Sequence, residues 1–116
     1  MNVNFRKENN ALVVKLQGEI DAESAKILRR QIDIEYDELG VKDMIFDLGE
    51  VGFMDSSGIG MIIGRYKRVC ALGGKIKVFG ADNTVKRIID LSGLGKIVTM
   101  CKSEREALGV RGMKND

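Results

Sequence analysis

The sequence predicts an α/β fold in which a mixed, mostly parallel sheet of four to five strands packs against four helices. Short apolar runs of strand length alternate with longer segments whose apolar residues recur every three or four positions. The first two runs lie close enough to form an antiparallel hairpin. The length of 116 residues and the hydrophobic fraction of 44% fit one globular domain, predicted to span residues 1–116.

The first half of the chain predicts a hairpin, a long helix and a central strand. Asp21 is placed to cap the helix, which begins at Ala22, and Gly40 ends it. The run MIFDL is bounded by charged and glycine segments, as in a strand covered on both faces. The predicted elements are a strand at 3–6, a turn at 8–10, a strand at 11–17, a helix at 22–39, a strand at 44–48 and a link at 49–53.

The second half repeats the alternation. A helix from Ser57 stops at Gly73-Gly74, and a short helix begins at Asp82 or Thr84 and closes at Ser92-Gly93. Strands are predicted at 76–79 and 96–100. Ser103 and Glu106 have the spacing of a capping box that opens a last helix, and the tail from 109 onward is predicted to fray.

Composition and charge argue against several classes of function. The net charge of +2 comes from 19 basic and 17 acidic residues mixed along the chain, so neither nucleic acid nor a membrane surface is expected as a partner. No apolar run approaches the roughly 18 residues of a membrane span, and the N-terminal segment lacks the pattern of a signal peptide. Cys70 and Cys101 are expected to be mostly buried, reduced thiols. We therefore expect a cytoplasmic protein.

The most informative stretch is FMDSSGIGMIIG, residues 53–64. A catalytic serine needs a base within hydrogen-bond reach, usually histidine, and this chain contains no histidine. The stretch also fails the Gly-x-Ser-x-Gly pattern, because Asp55 stands where Ser57 would need a preceding glycine. The chain is therefore not expected to be an enzyme.

The glycines of the same stretch fit a role in helix packing better than a role in nucleotide binding. Gly58, Gly60 and Gly64 are spaced one residue too widely for the dinucleotide fingerprint. Gly60 and Gly64 share one helix face, where they are expected to let a neighbouring element approach closely. A nucleotide- or small-ligand-binding domain using this loop is kept as the alternative function, while no cofactor or metal site is predicted.

The serines have a structural and a regulatory interpretation. Asp55 or Ser56 can cap the following helix, an effect worth about 1 kcal/mol. Three polar groups nevertheless crowd one strand-to-helix loop, at the sheet edge where α/β proteins usually place recognition surfaces. A phosphorylated serine also fits there, since a helix N-terminus tolerates added negative charge.

Several motifs together resemble the bacterial anti-sigma factor antagonists, the STAS domain family. The segment 53–60, FMDSSGIG, resembles the family's phosphorylation loop, and GEID at 18–21 resembles the turn after its second strand. Gly73-Gly74 and the segment 89–94, IDLSGL, resemble its later turns. The segments 64–67, GRYK, and 85–87, VKR, resemble the sporulation branch of the family.

The resemblance implies a single STAS-type domain that acts as a protein-binding switch. The unphosphorylated form would bind an anti-sigma factor that is also a serine kinase, and so release the sigma factor. That kinase would phosphorylate Ser56, with Ser57 as the second candidate, and a serine phosphatase would reverse the modification. Asp21, Asp55, Ser56, Ser57 and Gly58 are the partner-binding residues that the resemblance implies. A monomer controlling sporulation transcription is expected.

Overall fold

The computed structural model describes residues 2–109, which form one five-stranded sheet with four α-helices. The strands lie in the order β1-β2-β3-β4-β5. Their bounds are β1 Asn2–Glu8, β2 Ala11–Ile20, β3 Asp43–Met54, β4 Ile76–Phe79 and β5 Thr99–Met100. The helices are α1 Ala22–Leu39, α2 Ser56–Ala71, α3 Asn83–Ser92 and α4 Glu104–Ala107, with a 3-10 turn at Leu94–Lys96. The predicted mixed sheet and four helices are confirmed.

The sheet is mixed because only its first pair of strands is antiparallel. β1 and β2 form the predicted hairpin, which turns at Asn9 with a positive φ of 54°. The pairs β2–β3, β3–β4 and β4–β5 are all parallel, as expected when a helix connects successive strands. Their carboxyl ends therefore meet at one edge of the sheet, and each following helix begins there.

The two faces of the sheet bury apolar groups of very different size. Alternate residues of β2, namely Leu12, Val14 and Leu16, belong to a large core that includes buried side chains from α1, α2 and α3. The intervening Val13 joins a smaller cluster with Ala107 of α4. Because side chains alternate across a strand, β2 contributes apolar side chains to the core on both faces of the sheet. Its sequence is therefore an almost continuous apolar run.

β3 is longer than predicted, because the segment expected to be a link at 49–53 continues the strand to Met54. Val51 and Met54 point into the core and are almost completely buried. β2 likewise extends beyond its predicted end to Ile20 and remains paired with β3, through register shifts on either side of Gly18. These irregularities let glycine-rich strands keep their apolar residues inward.

The segment before α4 also differs from its prediction. The strand expected at 96–100 is only Thr99–Met100, because a 3-10 turn follows Gly93 and takes up Lys96. At α4 the Ser103 hydroxyl accepts the predicted bond from the Glu106 amide. The reciprocal bond is absent, since the Glu106 carboxylate instead accepts from the Lys102 amide. The capping box is therefore half formed.

The cysteines are less buried than predicted. Cys70 lies on the solvent-facing side of α2 and is exposed, while Cys101 is half-buried after β5. Both are free thiols. The helical periodicity that suggested burial of Cys70 fails at the last turn of α2, where Val69 takes the core position instead.

Candidate functional site

The FMDSSGIG segment lies at the carboxyl edge of the sheet, where β3 passes into α2. Ile20 and Met54 are register partners at the ends of the adjacent parallel strands β2 and β3. Asp21 and Asp55 therefore follow directly at the same edge, and the Asp55 amide donates to the Ile20 carbonyl at 3.1 Å. The two aspartates therefore share one surface of the protein.

Asp55, rather than Ser56, caps α2. Its carboxylate oxygen accepts from the Ser57 amide at 2.8 Å and from the Gly58 amide at 3.4 Å. Ser56 is thus the first helical residue, and it is exposed. Within residues 2–109 no group forms a hydrogen bond with its hydroxyl. The loop presents a free serine hydroxyl held on a rigid helix start.

The same cap weighs against a nucleotide in this loop. A phosphate bound at a helix N-terminus uses the free amides of the first turn. Here the Ser57 and Gly58 amides already donate to the Asp55 carboxylate, which also adds a repelling negative charge.

Asp21 forms an equivalent cap on α1. The Ser24 amide donates to its carboxylate at 2.9 Å, and the Ser24 hydroxyl accepts from the Asp21 amide at 2.9 Å. The backbone hydrogen bond from Ser24, with the bond from its hydroxyl, lowers the pKa of the Asp21 carboxyl. Asp21 therefore stays ionised and exposed at this edge.

Gly58 is required for packing at the site. It is buried, and an added Cβ would lie 2.4 Å from Cγ of Met54 and 3.0 Å from Cγ2 of Ile20. The predicted packing role of Gly60 and Gly64 is wrong, since a Cβ at either position meets nothing within 4 Å. These two glycines face an open groove between α1 and α2, and Ser57 lies half-buried at its end.

An apolar patch beside Ser56 was missed by the sequence analysis. Phe53 is 45% exposed and Leu91 is 82% exposed, which is unusual for such large apolar side chains. Together with Ile59 and Ile88 they line a depression of about 330 Å³ that also includes Ser56. We call these four side chains the apolar patch. Ile59 and Ile88 belong to the apolar stripes of α2 and α3, so in the sequence only the positions of Phe53 and Leu91 outside such stripes could have signalled the patch.

Two further features of residues 2–109 concern the side-chain arrangement of a metal site and the length of a membrane-spanning helix. No group of three or more acidic, cysteine or histidine side chains within 2–109 is arranged to hold a metal ion. None of the helices in this range is long and apolar enough to span a bilayer.

Comparison with known proteins defines the class to which this fold and site belong. The STAS domain profile matches residues 2–107, and the chain belongs to this family. It is 36% identical over 110 residues to the anti-sigma F factor antagonist of Paenibacillus polymyxa, covering 93% of this chain and 94% of that protein. It is 34% identical over 105 residues to the anti-sigma-B factor antagonist of Bacillus subtilis strain 168, covering 90% and 94%.

Solved structures of anti-sigma factor antagonists share the fold of this chain. The unphosphorylated anti-sigma factor antagonist SpoIIAA matches with a TM-score of 0.82 and 27% identity, over 98% of this chain and all of that one. The phosphorylated form of the Bacillus protein SpoIIAA matches with a TM-score of 0.72 and 26% identity, over 93% and 97%. The predicted family and the SpoIIAA-like fold are thereby confirmed.

Proposed function

We propose that this protein is an anti-sigma factor antagonist switched by phosphorylation of Ser56. In its unphosphorylated form it binds an anti-sigma factor that is also a serine kinase, and the sigma factor is released. The kinase phosphorylates Ser56 and ends the interaction, and a serine phosphatase restores it. The observation that carries the proposal is the exposed, unbonded Ser56 hydroxyl on a rigid helix start beside the apolar patch.

The geometry suits a serine that is the substrate of another protein's chemistry. In the transfer, the Ser56 oxygen forms a bond to the γ-phosphorus of ATP while the bond to the ADP oxygen breaks. The kinase supplies the base that takes the hydroxyl proton. Asp55 already accepts from the first-turn amides and therefore fixes the serine in place. No base from this chain is needed, which accounts for a serine-bearing loop in a sequence without histidine.

The apolar patch would supply much of the binding energy. Burying apolar surface contributes about 25 cal/mol per Å², and the exposed Phe53 and Leu91 are the side chains with the most to bury. Aromatic and aliphatic anchors at the centre of an interface commonly dominate affinity. We assign this surface, with Asp21, Asp55, Ser56 and Ser57, to the anti-sigma factor.

Phosphorylation would make this surface strongly negative without unfolding the protein. The phosphoryl group adds about 1.5–2 negative charges at the N-terminus of α2, where the helix dipole tolerates them. It stands beside the carboxylates of Asp55 and Asp21, which keeps the whole edge strongly negative. A partner that buries this edge would then have to desolvate several like charges.

Phosphate mapping tests the assignment directly. The protein would be incubated with ATP and its cognate anti-sigma kinase, and the modified residue identified by mass spectrometry. We expect phosphate on Ser56, with incorporation lost in Ser56→Ala and retained in the neighbouring control Ser57→Ala. Modification confined to Ser57, or none at all, would contradict the proposal.

We assign the protein to sporulation control, supported by the resemblance of the segments 64–67 and 85–87 to the sporulation branch and by the 36% identity to the anti-sigma F factor antagonist of Paenibacillus polymyxa. We also propose that it acts as a monomer in the cytoplasm. Sequencing the neighbouring genes tests the pathway, since an adjacent sporulation sigma factor and its anti-sigma kinase are expected. A general-stress sigma factor there would reassign the pathway and leave the switch intact.

A further inference from the structure

A second surface, the groove between α1 and α2, has a chemistry opposite to that of the carboxyl edge. It encloses about 630 Å³. Small residues dominate its apolar lining, and three basic side chains stand around them. The small residues are Ala22, Ala25, Gly60 and Gly64, and the basic ones are Lys26, Arg29 and Arg65. We call this surface the basic groove.

Arg65 is the best-defined basic group of the groove. Its side chain is only 7% exposed, and its Nε forms an ion pair with Oδ1 of Asp33 at 2.8 Å. That contact lacks the geometry of a hydrogen bond, since neither atom has a hydrogen-bond partner. Nη1 donates weakly to the Met61 carbonyl at 3.4 Å, and among residues 2–109 Nη2 has no partner. A nearly buried guanidinium therefore lines the groove, and its Nη2 group makes no hydrogen bond within residues 2–109.

The groove carries an excess of positive charge. In the described part of the chain, neither Lys26 nor Arg29 forms an ion pair or a side-chain hydrogen bond, and both are exposed. The Asp33 carboxylate pairs with both Arg65 and Arg68. The N-termini of α1 and α2 both lie at the Ser57 end of the groove, where the carboxylates of Asp21 and Asp55 cap them, so the positive charge of the groove comes from its basic side chains.

We propose that the basic groove receives an acidic segment of the anti-sigma factor. The inference rests on the proposed function, because it supplies a second contact for the same partner. The groove is lined mainly by small residues, with Met61 as the one large apolar side chain, and it is open enough to admit a polypeptide segment. The carboxylates of that segment would meet Lys26, Arg29 and the Nη2 group of Arg65. The groove begins at Ser57, one residue from Ser56. A phosphate on Ser56 would therefore also repel the acidic segment at this end.

Charge reversal tests the groove. Lys26→Glu/Arg29→Glu would be compared with the control Lys67→Glu/Lys75→Glu, which makes the same charge change at exposed positions away from the groove. Affinity for the purified anti-sigma factor would be measured by calorimetry on the full chain. We expect at least about tenfold weaker binding for the groove variant, with less than about a threefold change for the control. Equal affinities for the two variants would overturn the proposal.

Filling the groove gives a test that does not alter charge. Gly60→Leu places a side chain in open space on a regular helix, so the fold should be retained. Lys67→Leu is the control, since it adds the same side chain on the solvent face of α2. We expect Gly60→Leu alone to lose about tenfold or more in affinity. Unchanged affinity in a variant with a native circular dichroism spectrum would refute the assignment.

A titration without the anti-sigma factor separates this proposal from the proposed function. Hexaglutamate peptide and inorganic phosphate would be added separately while amide NMR signals are followed. Shifts at residues 22–29 and 60–65 with the peptide, absent in Lys26→Glu/Arg29→Glu, would support the groove even if the anti-sigma factor does not bind. Shifts with phosphate but not with the peptide would identify a small-anion site and overturn the proposal.

Discussion

The carboxyl edge around Ser56 and the basic groove lie on opposite sides of the first turn of α2, yet they are built on different principles. At the edge, aspartate caps occupy the helix amides, and the exposed surface is apolar with acidic groups around it. In the groove, basic side chains surround a lining made mainly of small residues. The comparison shows that two neighbouring residues, Ser56 and Ser57, face distinct chemical environments.

The largest difference is expected when charge is introduced at the edge. Ser56→Asp should weaken binding to the anti-sigma factor by about 100-fold or more, because a buried negative charge beside Asp55 costs several kcal/mol. Ser56→Ala should bind like the unphosphorylated protein, since its hydroxyl has no partner to lose in residues 2–109. Calorimetry with both variants checks this, and equal affinities would argue against a charge switch.

A similar comparison addresses the apolar patch. Leu91→Ser should reduce affinity for the anti-sigma factor by about 10- to 50-fold, because the lost apolar contact is worth about 1.5–2.5 kcal/mol. Ile34→Ser is the matched control, an exposed apolar residue of α1 that lies outside the patch. Surface plasmon resonance would measure both. A loss of the same size at Ile34 would mean that binding is not localised to the patch.

The glycines of α2 distinguish the packed end of the site from the open groove. Gly58→Val should lower the free energy of unfolding by about 2–3 kcal/mol, because its side chain would overlap Met54 and Ile20. Gly60→Ala should raise it by up to about 1 kcal/mol, since alanine favours the helix and meets no neighbour. Urea unfolding followed by circular dichroism gives both values. A stable Gly58→Val protein would disprove the packing role.

The smallest expected effect concerns the cap on α1. The pKa of Asp21 is lowered in the folded protein, so its carboxylate stabilises the fold above its ordinary pKa of 3.8. That contribution to stability is lost as the pH falls through the lower pKa that Asp21 has in the folded protein. Asp21→Asn should therefore reduce the Tm slightly at pH 7, and the difference from the unmodified protein should shrink below pH 4. Thermal melts at pH 7 and pH 3 would check it, and a difference independent of pH would exclude the ionised cap as the cause.

The sequence predicted the local features of this protein well. The caps at Asp21 and Ser103, the glycine ends of α1 and α3, and strand β4 depend on neighbours within a few residues, where capping and periodicity act directly. The motif at 53–60 narrowed the cap of α2 to Asp55 or Ser56, and the structure assigns it to Asp55, so that α2 begins at Ser56, one residue before its predicted start. Residues close in the chain were sufficient for each of these predictions.

Tertiary structure decided the features that join distant segments. The extension of β3 through 49–54 depends on pairing with β2, which no local glycine pattern reveals. Burial of Arg65 depends on Asp33 from another helix, and the apolar patch joins Phe53 with Leu91 across 38 positions of sequence (91 − 53 = 38). The open space above Gly60 and Gly64 likewise follows from the spacing of α1 and α2 along the groove. Helix spacing and sheet register set these distances, and both arise only when the whole core packs.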